Sequence, residues 1–521
     1  MKATLILILT ILVFGCKTKN QPPEFKLQDE DYYTEKYRPQ YHFTPEQMWM
    51  NDPNGMVHYD GEYHLFYQFY PDSNVWGPMH WGHAISTDLV HWEHQPVALY
   101  PDKHGYIFSG SAVVDWDNTS GLGENGEPPL IAIFTYHDPE GEKTGNNDFQ
   151  TQGIAYSNDN GRTWEKYEGN PVLKNPGIRD FRDPKVMWHS PSEKWIMTLA
   201  VKDHIEFYSS PNLIDWQKES EFGKELGAHG GVWECPDLIQ MDVNGSGEKK
   251  WVLLVSINPG GPNGGSGTQY FVGDFDGKRF TTDQTEIKWL DYGRDNYAGV
   301  TWSDTPDGRH IFIGWMSNWS YATVVPTEKW RSAMTIPRKL ELQKSNGEFL
   351  LASLPVKEMK MIRDKSIELS SQVISGEFEV DTKGIPLNQS EMIFNFQFNN
   401  GSQFGMPEEF GISFSNENGE VLNLGYIPGE KIFFVDRTDA GRTDFSDNFA
   451  GIHTAPFDAG EGMKIQLFMD ASSLEVFVDN GKLVMTDIVF PTKPYNSLKI
   501  FTKNGNVKLD NSHLRSLESI W

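Results

Sequence analysis

Three acidic residues stand next to or near prolines in short, distinctive settings: Asp52 in WMNDPNG, Asp183 in FRDPK and Glu234 in ECPD. Grouped carboxylates do proton-transfer and nucleophilic work that a single one cannot. Cleaving a glycosidic bond takes one carboxylic acid to protonate the leaving oxygen and one carboxylate to attack carbon or activate water. Their separation, about 5 Å against about 6.5–9.5 Å, sets retention or inversion. A third carboxylate can hold sugar hydroxyls and steady the oxocarbenium-like charge. An Asp is short and suits a fixed nucleophile, whereas a Glu among ionised carboxylates is disposed to keep its proton. That makes Glu234 the proton donor. Asp-Pro and Asn-Gly are common turn formers taken singly, so the inference rests on three acids holding one position in a repeat.

The repeat comes from five segments that share a polar turn followed by an aromatic and β-branched run. They are 62–70 (EYHLFYQFY), 129–136 (PLIAIFTY), 194–201 (KWIMTLAV), 250–256 (KWVLLVS) and 309–315 (RHIFIGW), roughly 60 residues apart. After three of them a turn delivers a Trp to an outer strand: Ser86 to Trp92, Ser157 to Trp164, Ser210 to Trp216. Convincing helical periodicity is hard to find across this span. Five β-rich units predict a five-bladed propeller, with a large sandwich as the other reading of the spacing. The acids lie just ahead of their units' strands, the phase of an innermost strand. Inner strands converge on a propeller's axis, so the three acids are expected in one pocket. The propeller is expected over 38–338 and a linker over 339–370. Alternation in 377–381, 392–398, 431–436, 464–470 and 474–479 then predicts a β-sandwich over 371–521.

A chain of 521 residues carries at least two domains. Its net charge of −27, with no basic run, argues against nucleic-acid binding and favours a neutral partner. The 17 Trp, 20 Tyr and 32 Phe suit packed β-structure or the apolar faces of sugars. Residues 1–15 (MKATLILILTILVFG) read as a signal peptide, too short to span a bilayer as a mature helix. The run ends in VFGC, which resembles a bacterial lipobox with Phe14 as an unusual member. Cys16 is therefore expected to carry a lipid, with residues 16–37 as anchor and tether, in an exported lipoprotein of the periplasm or cell surface. Cys235 is then the only remaining thiol and no intramolecular disulfide is possible. His80 and His83 sit three apart, which on a strand places them on opposite faces. No metal and no cofactor is expected.

At these motifs the sequence resembles glycoside hydrolase family 32, the β-fructofuranosidases that include invertases, inulinases and levanases, from about residue 41 to the C-terminus. The resemblance implies a five-bladed propeller followed by a β-sandwich and a retaining double displacement at the C2 carbon of a terminal fructosyl unit. It implies Asp52 as nucleophile, Glu234 as general acid and then base, and Asp183 as transition-state stabiliser. It also implies Asn51, Gln68, Trp76, Phe108, Ser109, Arg182 and Trp315 as the lining of the fructose pocket, with Arg182 a cation beside Asp183. Asp295 and Tyr297, in RDNYAG, fall at the inner-strand phase of the fifth unit and are further candidates to help bind sugar. Residues 315–338 look more like exo-acting bacterial levanases and inulinases than invertases. The stretch 467–481 (LFMDASSLEVFVDNG) resembles the family's sandwich signature and reads as structural. The expected substrate is levan, inulin-type fructan or a fructo-oligosaccharide, with sucrose a smaller candidate. An endo-acting levanase and a non-catalytic fructan-binding protein remain alternatives.

Overall fold

The computed structural model describes residues 32–345, 347–398 and 406–521. Cys16 and the apolar leader lie outside the described residues. Five sheets of four or five strands are followed by one continuous eleven-stranded ladder. The five sheets are the blades of a propeller. Their innermost strands are Met48–Tyr59, Tyr106–Val114, Phe181–His189, Val232–Asp242 and Tyr297–Thr301. The aromatic repeat segments form the second strands, Glu62–Tyr70, Leu130–His137, Lys194–Val201, Lys249–Asn258 and His310–Met316, each antiparallel to its inner neighbour. Every residue of Leu130–His137 is buried. A strand covered on both faces reads as a continuous apolar run instead of an alternating one. Trp330–Arg331 pairs in parallel with Met48 and Trp49, which ties the fifth unit back to the first.

The recurring Trp turns join third strands to fourth strands. In the first, Ser86 Oγ accepts the N–H groups of Asp88 and Leu89 at 3.1 and 2.8 Å. In the other two the indoles of Trp164 and Trp216 donate back to the carbonyls of Gly161 and Leu213.

Each innermost strand is bulged at the same level. The register slips between Met50 and Pro53, Ile107 and Gly110, Arg182 and Lys185, Glu234 and Asp237, and Tyr297 and Val300. Bulges bend a strand and re-aim side chains. Asp183, Cys235 and Ala298 take positive φ there, at 64°, 44° and 54°. The prolines that follow the acids belong to this kink.

The domain limits differ from expectation. Strands Arg338–Ser345 and Glu348–Pro355 pair with each other, and the first pairs with His310–Met316, so the first half of the expected linker completes the fifth blade. The first of these outer strands sets Lys339, Glu341 and Gln343 around Leu340 and Leu342, with alternate residues only partly buried, which hides it among loops in sequence. The connection is the 3-10 helix Lys357–Ile362, and Arg363–Leu369 already belongs to the C-terminal ladder. The last residues of the expected tether, 32–37, pack on the folded body: Tyr33 stacks on Trp521 at 4.1 Å and Tyr37 is buried edge-on to Phe490.

The C-terminal strands form two sheets joined through the 21-residue strand Ser497–Leu517. Its first half pairs with Glu409–Ser415 and its second with Ser390–Gln397. Phe394, Ile412, Leu424, Ile465 and Val476 pack between them in one core. The 467–481 stretch faces the propeller. Glu475, fully buried, accepts from the Ile336 N–H at 2.8 Å and from the Arg338 guanidinium, which also reaches Asp291 at 2.9 Å. His42 bridges Asp470 and Glu475 at 2.7 and 2.8 Å.

Candidate active site

The bulged starts of the inner strands converge on a pocket of about 330 Å³, at the small end of the range for ligand sites. Asn51, Asp52, Gln68, Trp76, Phe108, Ser109, Arg182, Asp183 and Glu234 all line it. Asp52 Oδ1 accepts from Asn51 Nδ2 at 3.0 Å and its Oδ2 from Ser109 Oγ at 2.8 Å. Asn51 is itself held by the Trp49 indole N–H at 2.7 Å. Two donors on one short carboxylate fix its direction. Burial is the largest influence on Asp52 and raises its pKa; the Glu234 charge adds to this, while the hydrogen bonds from Asn51 and Ser109 oppose it.

Asp183 is anchored at both ends. Its Oδ2 accepts the Cys235 N–H at 3.0 Å, and its own N–H donates to Thr135 Oγ1 at 2.9 Å. Burial pushes its carboxyl up to about 7; the Arg182 charge opposes that rise, and Glu234 and Asp52 add to it. Cys235 Sγ lies 3.7 Å from Asp52 and 3.6 Å from Asp183, a weak donor between two carboxylates. Burial, then the surrounding acids, push this thiol far above its ordinary range, so it stays protonated.

The structure revises the expectations for Arg182, Asp295 and Trp315. The Arg182 charge acts on Asp183 as expected, but its hydrogen bonds go elsewhere: its Nε and Nη2 donate to Glu234 Oε1 at 3.1 and 3.0 Å, and its Nη1 donates to Asp180 at 2.7 Å. Neighbouring residues on a strand point to opposite sides, and the bulge sends the guanidinium across to blade four. Glu234 Oε2 accepts from the Tyr297 hydroxyl, so the fifth unit's tyrosine meets the acid itself. Asp295, its companion in sequence, pairs instead with Arg437 of the sandwich at 2.6 Å.

Trp315, in turn, is fully buried and does not reach the pocket. It packs behind Trp49 and Trp319, and Trp319 is the residue that lines the site. The strand ends at Met316, so a tryptophan three residues past it is free to turn outward. Residues that sequence reasoning did not single out complete the rim: His137 stacks on Phe108 at 4.2 Å, and Glu142, Phe149, Gln150, Asp180 and Asn258 follow. Glu142 and Phe149 sit on the segment that joins the second and third strands of blade two, Gln150 begins that third strand, and Asn258 ends the second strand of blade four. His80 and His83 go elsewhere: His83 bonds His64 at 3.0 Å and His80 the Pro78 carbonyl at 2.9 Å.

Below the acids the axis is closed. Pro53, Pro184 and Pro236 surround a void of only about 10 Å³. A dead-ended pocket with three carboxylates, Asp52, Asp183 and Glu234, at its base, two more on its rim, one guanidinium and aromatic walls, carried on a five-bladed propeller, defines a glycoside hydrolase.

The chain matches the family description "Glycosyl hydrolases family 32 N-terminal domain" over residues 42–353 and "Glycosyl hydrolases family 32 C terminal" over 358–516. It is 49% identical over 500 residues to the levanase of Bacillus subtilis strain 168, covering 95% of this chain and 72% of that one. It is 38% identical over 521 residues to the extracellular exo-inulinase of Aspergillus niger, covering 94% and 96%. Among solved structures, the exo-inulinase of Aspergillus awamori superposes with a TM-score of 0.85 at 35% identity, over 94% of this chain and all of that one. The β-fructofuranosidase of Schwanniomyces occidentalis complexed with fructosyl-erythritol gives 0.82 at 31%, over 94% and 99%. The chain belongs to glycosyl hydrolase family 32.

Proposed function

We propose that this enzyme releases fructose from the nonreducing ends of β-fructans of the levan or inulin type, with sucrose as a smaller substrate. The observation that carries the reading is the pocket: three carboxylates at the bottom of a cavity sealed by prolines, with room for a chain end. Relatives named levanase and exo-inulinase support the substrate class.

Asp52, oriented by Asn51 and Ser109, attacks the anomeric carbon as the bond to the leaving oxygen breaks, and Glu234 gives that oxygen its proton. Water then attacks the same carbon, Glu234 takes the water's proton, and Asp52 is freed with configuration retained. Asp183 binds fructose hydroxyls and steadies positive charge on the ring. Trp76, Phe108, Gln68 and Trp319 hold the sugar. The test is a time course with levan and with inulin. Fructose alone from the earliest sample supports exo action and names the preferred linkage; a ladder of oligosaccharides contradicts it.

The Cys16 thiol is proposed to carry a lipid that anchors the enzyme to a bacterial membrane after export, on the strength of the VFGC motif and the apolar run before it. Relatives named extracellular support export. Cys16→Ser should release the protein into the soluble fraction; unchanged membrane association would refute the anchor.

A further inference from the structure

The inner strands of blades two to five, those of Asp183 and Glu234 among them, run on to the far end of the propeller axis, and there they line a second cavity of about 700 Å³, larger than the catalytic pocket. The plug of prolines separates the two. From Asp183 to Trp188 along one strand is five residues, roughly 16 Å at the usual rise.

Three tryptophans among the described residues are more than a third exposed: Trp76 at 40%, Trp116 at 59% and Trp188 at 37%. The first lines the catalytic pocket, and the other two line this one. Neither is loose. Trp116 Nε1 donates to Asp304 Oδ1 at 3.0 Å and its ring lies 5.8 Å from Tyr59. Trp188 packs edge-on to Trp195 at 5.1 Å, and the Trp195 indole is fixed by Thr119 at 2.8 Å. Two exposed apolar rings are thus held in place, Trp116 by a hydrogen bond at its edge and Trp188 by an anchored aromatic neighbour, as recognition of a partly apolar ligand requires.

The floor is polar. Asp237 is completely buried; its Oδ2 accepts from the N–H and hydroxyl of Thr301 at 2.7 Å each and lies 3.4 Å from Lys185 Nζ. Its other oxygen, Oδ1, is buried with no hydrogen-bond partner. A buried carboxylate oxygen calls for a donor, and a hydroxyl-bearing ligand supplies one. Asp115, Asp117, Asp237 and Asp304 outnumber Lys185 and Lys249 around the cavity, a balance that disfavours an anion. Apolar faces, a waiting acceptor and acidic walls together select a neutral sugar.

We propose that this far mouth is a second, non-catalytic carbohydrate site, where a sugar unit of a neutral glycan stacks on Trp116 and Trp188. Its identification with the enzyme's own polymer rests on the fructan reading above. A polymer held there keeps further chain ends near the catalytic mouth, raising their effective concentration.

The full chain carrying Asp52→Ala, titrated calorimetrically with inulin-type and levan-type oligosaccharides, is expected to bind two equivalents. Adding Trp116→Ala or Trp188→Ala should weaken one of them about tenfold or more. In the active enzyme the same tryptophan substitutions should leave kcat and KM for a trisaccharide unchanged and raise KM for the polymer. One equivalent only, or two that neither tryptophan substitution affects, would overturn the proposal. A native chain that releases sugar from neither polymer would instead overturn the substrate reading beneath it.

Discussion

At the scale of single residues, the site is governed by how few positive charges serve its acids. Partial removal from water, first, and the nearby Glu234 charge both favour the protonated form of Asp52. An ionised nucleophile is needed, so activity is lost as pH falls through a value above the ordinary 3.8. Ser109→Ala removes a hydrogen bond that stabilises the carboxylate. The acid limb of kcat/KM against pH should then move upward; a limb that stays put or moves down would show that Ser109 does not tune Asp52. The two tryptophans of GWMSNW should separate cleanly. Trp319→Ala should raise KM with little loss of stability, whereas Trp315→Ala empties a fully buried site and should cost about 3–5 kcal/mol, measured by denaturant unfolding. The three acids were legible in sequence because each sits in a turn-like motif at one phase of a repeat. The choice between Trp315 and Trp319 was not, because it depends on where a strand ends. The Arg182 contact was hidden likewise, since a bulge decides which way a side chain leaves its strand.

At the scale of elements, five aligned bulges are what make a site out of a repeat. Without them, alternation would leave the side chains of neighbouring inner strands facing the channel at unrelated levels. Gly110 sits at the bulge of blade two, where an added Cβ would meet the Ile133 carbonyl oxygen at 2.0 Å and the Phe134 Cα at 2.7 Å. Both are backbone atoms and cannot swing aside. Gly110→Ala should push the inner strand away, pull Ser109 off Asp52, and lower stability by about 1–3 kcal/mol together with kcat. Gly429→Ala, with open space around it, should leave both unchanged. Equal behaviour of the two variants would contradict this account. The second strands were legible because burial on both faces writes an unbroken aromatic run. The outer strands of blade five, Arg338–Ser345 and Glu348–Pro355, were not, because the first interleaves its leucines with polar residues and the second buries only its middle three residues, so neither writes a long apolar run.

At the scale of the whole molecule, the sandwich is fastened to the propeller by buried charge. Burial alone would lower the pKa of His42, but its hydrogen bonds to Asp470 and Glu475 outweigh that and hold it at about 9. A proton bound more tightly in the folded chain stabilises fully below the ordinary 6.5, and that contribution drains away as pH climbs toward 9. Its full size is on the order of 3 kcal/mol. His42→Gln should lower the unfolding temperature at pH 6 and flatten its decline between pH 6.5 and 9; an unchanged pH dependence would contradict the assignment. Glu475 is the residue that the 467–481 signature reads as structural, and its partners Arg338 and His42 come from distant parts of the chain. Sequence reveals such a stretch as distinctive without revealing what it meets.

The central claim is that Asp52 attacks and Glu234 supplies the proton. It is tested most directly by comparing Asp52→Ala and Glu234→Ala on a fructan and on a fructoside whose leaving group needs no protonation. Asp52→Ala should lose activity on both. Glu234→Ala should lose about 10²–10⁴-fold on the fructan and far less on the activated fructoside. Near-native rates for either variant on the fructan, or equal losses for Glu234→Ala on both substrates, would contradict the mechanism.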